Sequence, residues 1–161
     1  MAFIPRWFKS ARASSSVGIY ITHNSLLAVD ELQPQQVVQR DIGNAEPAAT
    51  ALRALLDEQQ WQGRRLHLVL SRHWYQQTQM EKPAMPDDEL AQALPWCMRE
   101  LVNEPLDSLL FDYITLPASP TGQPRIAVYS SERERLAGLV KAVTPQCEIA
   151  TIGVDELAMT N

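Results

Sequence analysis

The sequence has 161 residues, 45% hydrophobic and 20% charged, which is the composition of a globular chain with enough length for a core. Its longest aliphatic runs, such as Leu26–Val29, are far short of the ~20 residues needed to cross a bilayer, which excludes a membrane-spanning helix within these residues. The net charge of −5 is uneven: the first 29 residues hold Arg6, Lys9 and Arg12 and no acid, and the remainder carries −8, an acidic body that excludes broad nucleic-acid binding.

Residues 1–16 read as a basic, aromatic arm. Phe3, Ile4, Trp7 and Phe8 mix with Arg6, Lys9 and Arg12, and a serine run follows. Pro5 and Arg6 break the apolar stretch, so it is not a secretory signal. Phe3, Arg6, Trp7, Phe8 and Lys9 are the candidates for peripheral membrane contact, with rings at headgroup depth and cations on anionic lipid. A frayed terminus, or an arm packed on a partner, is the alternative.

From Val17 the apolar residues alternate, Val17, Ile19 and Ile21 against Gly18, Tyr20 and Thr22, which predicts a strand. A polar turn follows at His23-Asn24-Ser25, then strands over Leu26–Glu31 and Val37–Asp41, giving an antiparallel meander. Ala48, Leu52, Leu55 and Leu56 share one face of a helix that stops near Trp61–Gly63, with Gly63 as the expected C-terminal cap. Leu66–Leu70 alternates again and completes an α/β pattern with a mixed sheet.

A second unit starts near Trp74. Tyr75–Lys82 predicts a strand. Asp87, Asp88 and Glu89 suit the first turn of a helix whose apolar stripe is Leu90, Leu94, Cys97, Met98 and Leu101. Pro95 inside it predicts a kink or two joined helices. Leu109–Pro117 and Arg125–Tyr129 read as strands joined by a turn at Ser119–Pro124. Ser131 and Glu134 have capping-box spacing, opening a helix with Leu136, Leu139, Val140 and Val143 inward. A strand over Glu148–Ile152 comes next, and Asp155 caps a short apolar helix start at the end of the sequence. The expectation is that such a helix docks elsewhere or belongs to a longer chain.

Catalytic motifs are missing from the sequence. None of His23, His67 and His73 stands in a nucleophile pattern, and there is no GxSxG or HExxH. Cys97 and Cys147 are too few for a disulfide framework and lack zinc-site spacing, so a reducing compartment is expected. Asp112 is an acid within a strand and needs either a partner or water. The hairpin of Gly18, Tyr20, Thr22, His23, Asn24 and Ser25 has the outline of a phosphate loop, whose amides cradle phosphoryl oxygens. It lacks the acid that such a site uses around Mg²⁺, so catalytic residues, metal and cofactor are all expected to be none.

The stretches VGIYITHNSLLAVDEL (17–32), LHLVLS (66–71), MPDDELAQALPWCMRELVNEP (85–105), FDYITLP (111–117), IAVYSSERERLAGLVKAV (126–143) and IGVDELAM (152–159) resemble, in this order, the N-terminal lobe of the PilM-type actin-like pilus-assembly proteins. Within that family the likeness leans to the MshI type of the MSHA pilus; the cytoplasmic part of GspL in type II secretion is a more distant relative. The family opens with a pattern like G-I-D-I-G-S-x-S-x-K. Gly18, Ile19, Ile21 and Ser25 match it, whereas Tyr20 replaces the aspartate, Thr22 a glycine, His23 a serine and Leu27 the lysine.

The resemblance implies a ribonuclease H-like/actin-like α/β lobe in which a smaller α/β subdomain (72–129) is inserted between a first part (17–71) and a return (130–161). The sequence ends where a second lobe is expected to begin. The resemblance further implies a non-catalytic cytoplasmic scaffold, peripheral to the inner membrane. Its partner would be the cytoplasmic tail of a PilN- or PilO-like pilus-assembly protein. The competing expectation is a nucleotide-binding actin-like ATPase or switch, should a second lobe be present. A homodimer is a third.

Overall fold

The computed structural model describes residues 15–158. The elements are β1 (Ser16–Ile21), β2 (Ser25–Asp30), β3 (Val37–Asp41), α1 (Ala48–Gln59), β4 (Arg65–Leu70), β5 (Gln76–Glu81), α2 (Asp87–Met98), β6 (Leu109–Leu116), β7 (Arg125–Glu132), α3 (Arg133–Val143), β8 (Glu148–Val154) and α4 (Asp155–Ala158). They form two compact units. Within the described residues the first runs to His73 and resumes at Ala137, and the second is Trp74–Leu136. The second unit runs beyond the expected boundary at 129 because β7 stays paired with β6 as far as Glu132 opposite Leu109. The arm residues Phe3, Arg6, Trp7, Phe8 and Lys9 lie outside the described residues. Among the described residues, no helix is long and apolar enough to cross a membrane.

The first unit is a five-stranded mixed sheet in the order β3-β2-β1-β4-β8. The meander β1-β2-β3 is antiparallel, and β4 runs parallel to both β1 and β8. Period-two alternation gives the sheet two unlike faces. Val17, Ile19, Ile21, Leu26, Ala28, Leu66, Leu68 and Leu70 are buried on one, and the core is completed by Ala51, Leu52, Leu55 and Leu56 of α1 with Leu139 and Val143 of α3. On the other face Gly18 is exposed, while Tyr20, Leu27, Val29, His67 and Val69 are half-buried.

The cap of α1 differs from expectation. Gln60, not Gly63, takes the left-handed conformation (φ 56, ψ 44), with Gln60 N–H donating to Asp57 O and Trp61 N–H to Leu56 O at 3.0 Å. These are the two bonds of a Schellman motif, and the buried Trp61 fixes where the turn falls. Gly63 (φ 78) serves the next bend, where its N–H reaches Gln146 O at 2.7 Å.

The second unit is an antiparallel sheet, β5-β7-β6, with α2 on one face. Leu90, Leu94 and Met98 meet Ile126 and Val128, flanked by Met80, Met85, Val102, Phe111 and Tyr113. The helix is a single one through Pro95, not two joined helices. Pro95 has no N–H to give Ala91 O, and the helix runs on past it to Met98. Cys97 is half-buried, and Leu101, beyond the helix, is 55% exposed, so the stripe is narrower than expected. The expected capping box is also not formed. Ser131 lies in β7 and its hydroxyl donates to Trp74 O at 2.5 Å, because the strand runs straight into α3. Only Leu139 and Val143 of that helix are fully buried; Val140 is 38% exposed and Leu136 half-buried.

Candidate functional site

Parallel strands gather loops at their carboxyl ends, where ligands of open α/β sheets sit. Here β1, β4 and β8 end at Ile21, Leu70 and Val154, and the residues just beyond them belong to one edge of the sheet. That edge holds the turn from Thr22 to Ser25, the stretch from Ser71 to His73, and Asp155. Tyr20 reaches it from within β1.

Thr22 organises the turn. Its hydroxyl oxygen accepts the N–H groups of Ser25 (2.9 Å) and Asn24 (3.3 Å). The same hydroxyl lies 2.8 Å from Ser25 Oγ, 3.1 Å from Asn24 Oδ1 and 3.2 Å from Ser25 O, and its single proton serves one of them. Thr22 N–H closes the hairpin on Ser25 O at 3.0 Å. The amides that a phosphate hairpin would turn toward its ligand are thus engaged by the protein's own side chain. No carboxylate or ammonium stands in the turn.

Tyr20, at the position where the resemblance expects an acid, donates its hydroxyl to Asp155 Oδ2 at 2.9 Å. Burial pushes the Tyr20 phenol up from its ordinary value, and the bond to Asp155 and the carboxylate's charge add to that. Asp155 Oδ1 also accepts Glu156 N–H at 2.9 Å, holding the start of α4. Sequence reasoning assigned Asp155 only a capping role. The available signal was its place as the first acid after the last parallel strand, which puts it on the same edge as Tyr20.

His23 and His73 meet as tilted rings, centroids 4.4 Å apart. Ser71, 5% exposed, donates its N–H to Ile21 O at 3.0 Å, while its buried hydroxyl has no hydrogen-bond partner among the described residues. His67 lies apart from this edge and pairs with Thr151 Oγ1 at 2.9 Å. Gly18 is on the half-open face, where a Cβ would meet nothing within 4 Å. Cys147 is buried, donates its thiol to Trp61 O at 3.1 Å, and is held above its ordinary pKa by burial, which makes it a poor nucleophile. Asp112 is exposed, and its carboxylate accepts the N–H of Tyr113 at 2.8 Å.

No family model matches the sequence, and no curated protein matches it. Solved structures do. The chain superposes on the PilM-PilN type IV pilus biogenesis complex with a TM-score of 0.66 at 20% identity, covering 89% of this chain and 48% of that one. It superposes on the cytoplasmic domain of EpsL, an inner membrane component of the type II secretion system of Vibrio cholerae, with a TM-score of 0.62 at 14% identity, covering 90% and 59%. A Bacteroides thetaiotaomicron protein with an actin-like ATPase fold and unknown function gives 0.50 at 8% identity, covering 94% and 55%. The chain therefore has the mixed α/β, actin-like fold of these proteins and spans about half of their length.

Proposed function

We propose that this chain is a non-catalytic scaffold lobe of a type IV pilus assembly machine, of the MshI type within the PilM-like group. It would work in the cytoplasm against the inner membrane. Its partner is the cytoplasmic tail of a PilN-like membrane protein, captured as an extended peptide through main-chain hydrogen bonds and side-chain pockets. The likeness to a PilM-PilN complex and to EpsL supports the setting.

The observation that carries the non-catalytic part is the first hairpin. Magnesium triphosphate needs an acid near metal-bound water and free amides around its phosphates. Tyr20 stands in place of the acid and is bonded to Asp155; Thr22 holds the amides of Asn24 and Ser25. Calorimetry with a synthetic PilN-type tail tests the docking, and absence of binding at high micromolar peptide rejects it. Thermal melting with Mg-ATP tests the rest: a ligand of the native state raises the melting temperature by mass action, and no shift is expected. A clear shift would favour the nucleotide-switch reading.

A further inference from the structure

The two sheets leave four outer edges among the described residues, those of β3, β8, β5 and β6. A free edge is a row of unpaired N–H and C=O groups and a template for another strand. β3 has five residues and β5 six, the latter polar, QQTQME. β8 is interrupted by a register shift opposite Leu66/His67. β6 is eight residues long, LLFDYITL, and pairs with β7 in unbroken register throughout.

Antiparallel ladders alternate, so every second residue of an edge strand directs its backbone groups outward. Two contacts identify that set in β6. Tyr113 N–H is taken by its neighbour's Asp112 carboxylate, and Leu109 O by Arg133 Nη2 at 3.3 Å. The outward residues are therefore Leu109, Phe111, Tyr113 and Thr115. Arg133 closes one end and Asp112 guards the middle, which leaves the groups of Phe111 and Thr115 along the edge. Leu110 is 38% exposed beside it.

Arg133 is a cation at one end of this edge, with its guanidinium spent on the carbonyls of Asp107 and Leu109, and the chain leading into and out of β6 is acidic. From Glu100 to Pro124 the chain holds Glu100, Glu104, Asp107 and Asp112 and not one basic residue. We propose that the outer edge of β6 takes an extended, basic peptide segment of a partner protein as a fourth strand of this sheet. The incoming strand supplies a carbonyl to Tyr113 N–H, and the carboxylate of Asp112 so released pairs with a lysine or arginine of the peptide. Apolar residues of the peptide alternate with those cations and so fall on the other face of the sheet, beside Phe111 and Tyr113, which pack on the core of this unit. The inference does not depend on the identity of the tail-binding partner proposed above.

The probe is a blocked ten-residue peptide alternating lysine with valine, with glutamate in place of lysine as the control. Titration of the full chain by calorimetry, with amide exchange at Phe111 and Thr115, is expected to show micromolar binding of the lysine peptide and slowed exchange at both amides. Thr115→Pro removes an outward N–H at an exposed residue, a substitution edge strands tolerate, and is expected to weaken binding at least about tenfold. Asp112→Lys keeps the edge and is expected to reverse the preference toward the glutamate peptide. Equal binding of both peptides by the unaltered chain, no binding at millimolar peptide, or a preference unmoved by Asp112→Lys would overturn the proposal. So would a dimer of the protein alone, seen in sedimentation and lost in Thr115→Pro, which would give the edge to a second copy.

Discussion

The phenol of Tyr20 donates to the carboxylate of Asp155 at 2.9 Å, tying the first strand to the residue that follows the last one. In this position a tyrosine is a neutral structural donor, where an aspartate would add a second negative charge beside Asp155. The bond holds the start of α4 against the carboxyl edge of the sheet.

Tyr20→Phe is expected to destabilise the protein by about 1 kcal/mol in urea denaturation, the typical worth of one part-buried hydrogen bond. The folded-state pKa of Tyr20 lies above its ordinary 10.0, so its contribution is fully present below that value and is lost as pH rises beyond it. Stability measured across that alkaline range should fall less steeply in Tyr20→Phe than in the parent.

Thr22→Val keeps the shape of the side chain and removes the oxygen that accepts from Asn24 and Ser25. A loss of about 1–2 kcal/mol is expected, because two turn amides lose their partner while water partly replaces it. Thr22→Ser should restore most of the loss. Thermal melts of the three proteins decide this.

Arg64 and Asp30 form a pair whose side chains are 14% and 15% exposed. Arg64 Nε also holds Ser15 O at 3.0 Å, and Leu32 N–H donates to the same carboxylate. The bonded guanidinium holds the Asp30 carboxyl below its ordinary 3.8, despite the opposing effect of burial. That stabilisation is complete above 3.8 and disappears as pH falls through the folded-state value. Arg64→Ala is expected to cost about 2–4 kcal/mol near neutral pH, since it leaves a largely buried carboxylate unpaired. Asp30→Asn should flatten the acid limb of the stability curve.

Gln60 holds a left-handed conformation that glycine adopts without a Cβ penalty. Gln60→Gly is expected to stabilise the protein by about 0.5–1 kcal/mol in chemical denaturation, after the extra freedom of the unfolded chain is deducted. An unchanged or lowered midpoint would mean that the Gln60 side chain contributes contacts that outweigh the strain.

Local pattern carried the strands and helices into view. The alternation of Val17, Ile19 and Ile21, and of Leu66, Leu68 and Leu70, sets which face is buried, and the structure keeps those faces. Features made by residues distant in sequence were not visible. Tyr20 and Asp155 are 135 positions apart, and no local rule joins them. Ser131 had the spacing of a cap, but Trp74 offered its carbonyl and the strand continued past it. The cap at Gln60 was hidden because the burial of Trp61, a tertiary requirement, overrode the preference for glycine three residues later. In the candidate site, Tyr20 was legible as a departure because the pattern that the hairpin resembles has an aspartate there. The grip of Thr22 on the turn amides required coordinates.

The pairing of β4 with β8 brings together residues such as His67 and Thr151, 84 positions apart, with the whole second unit between them. Closing so long an excursion is a slow, high-contact-order event, so the last seam of the sheet should zip after the smaller unit has condensed. A nascent chain would then pass through a species with four strands joined and the flank of β4 bare. Chaperones or premature self-pairing have their opening during that interval.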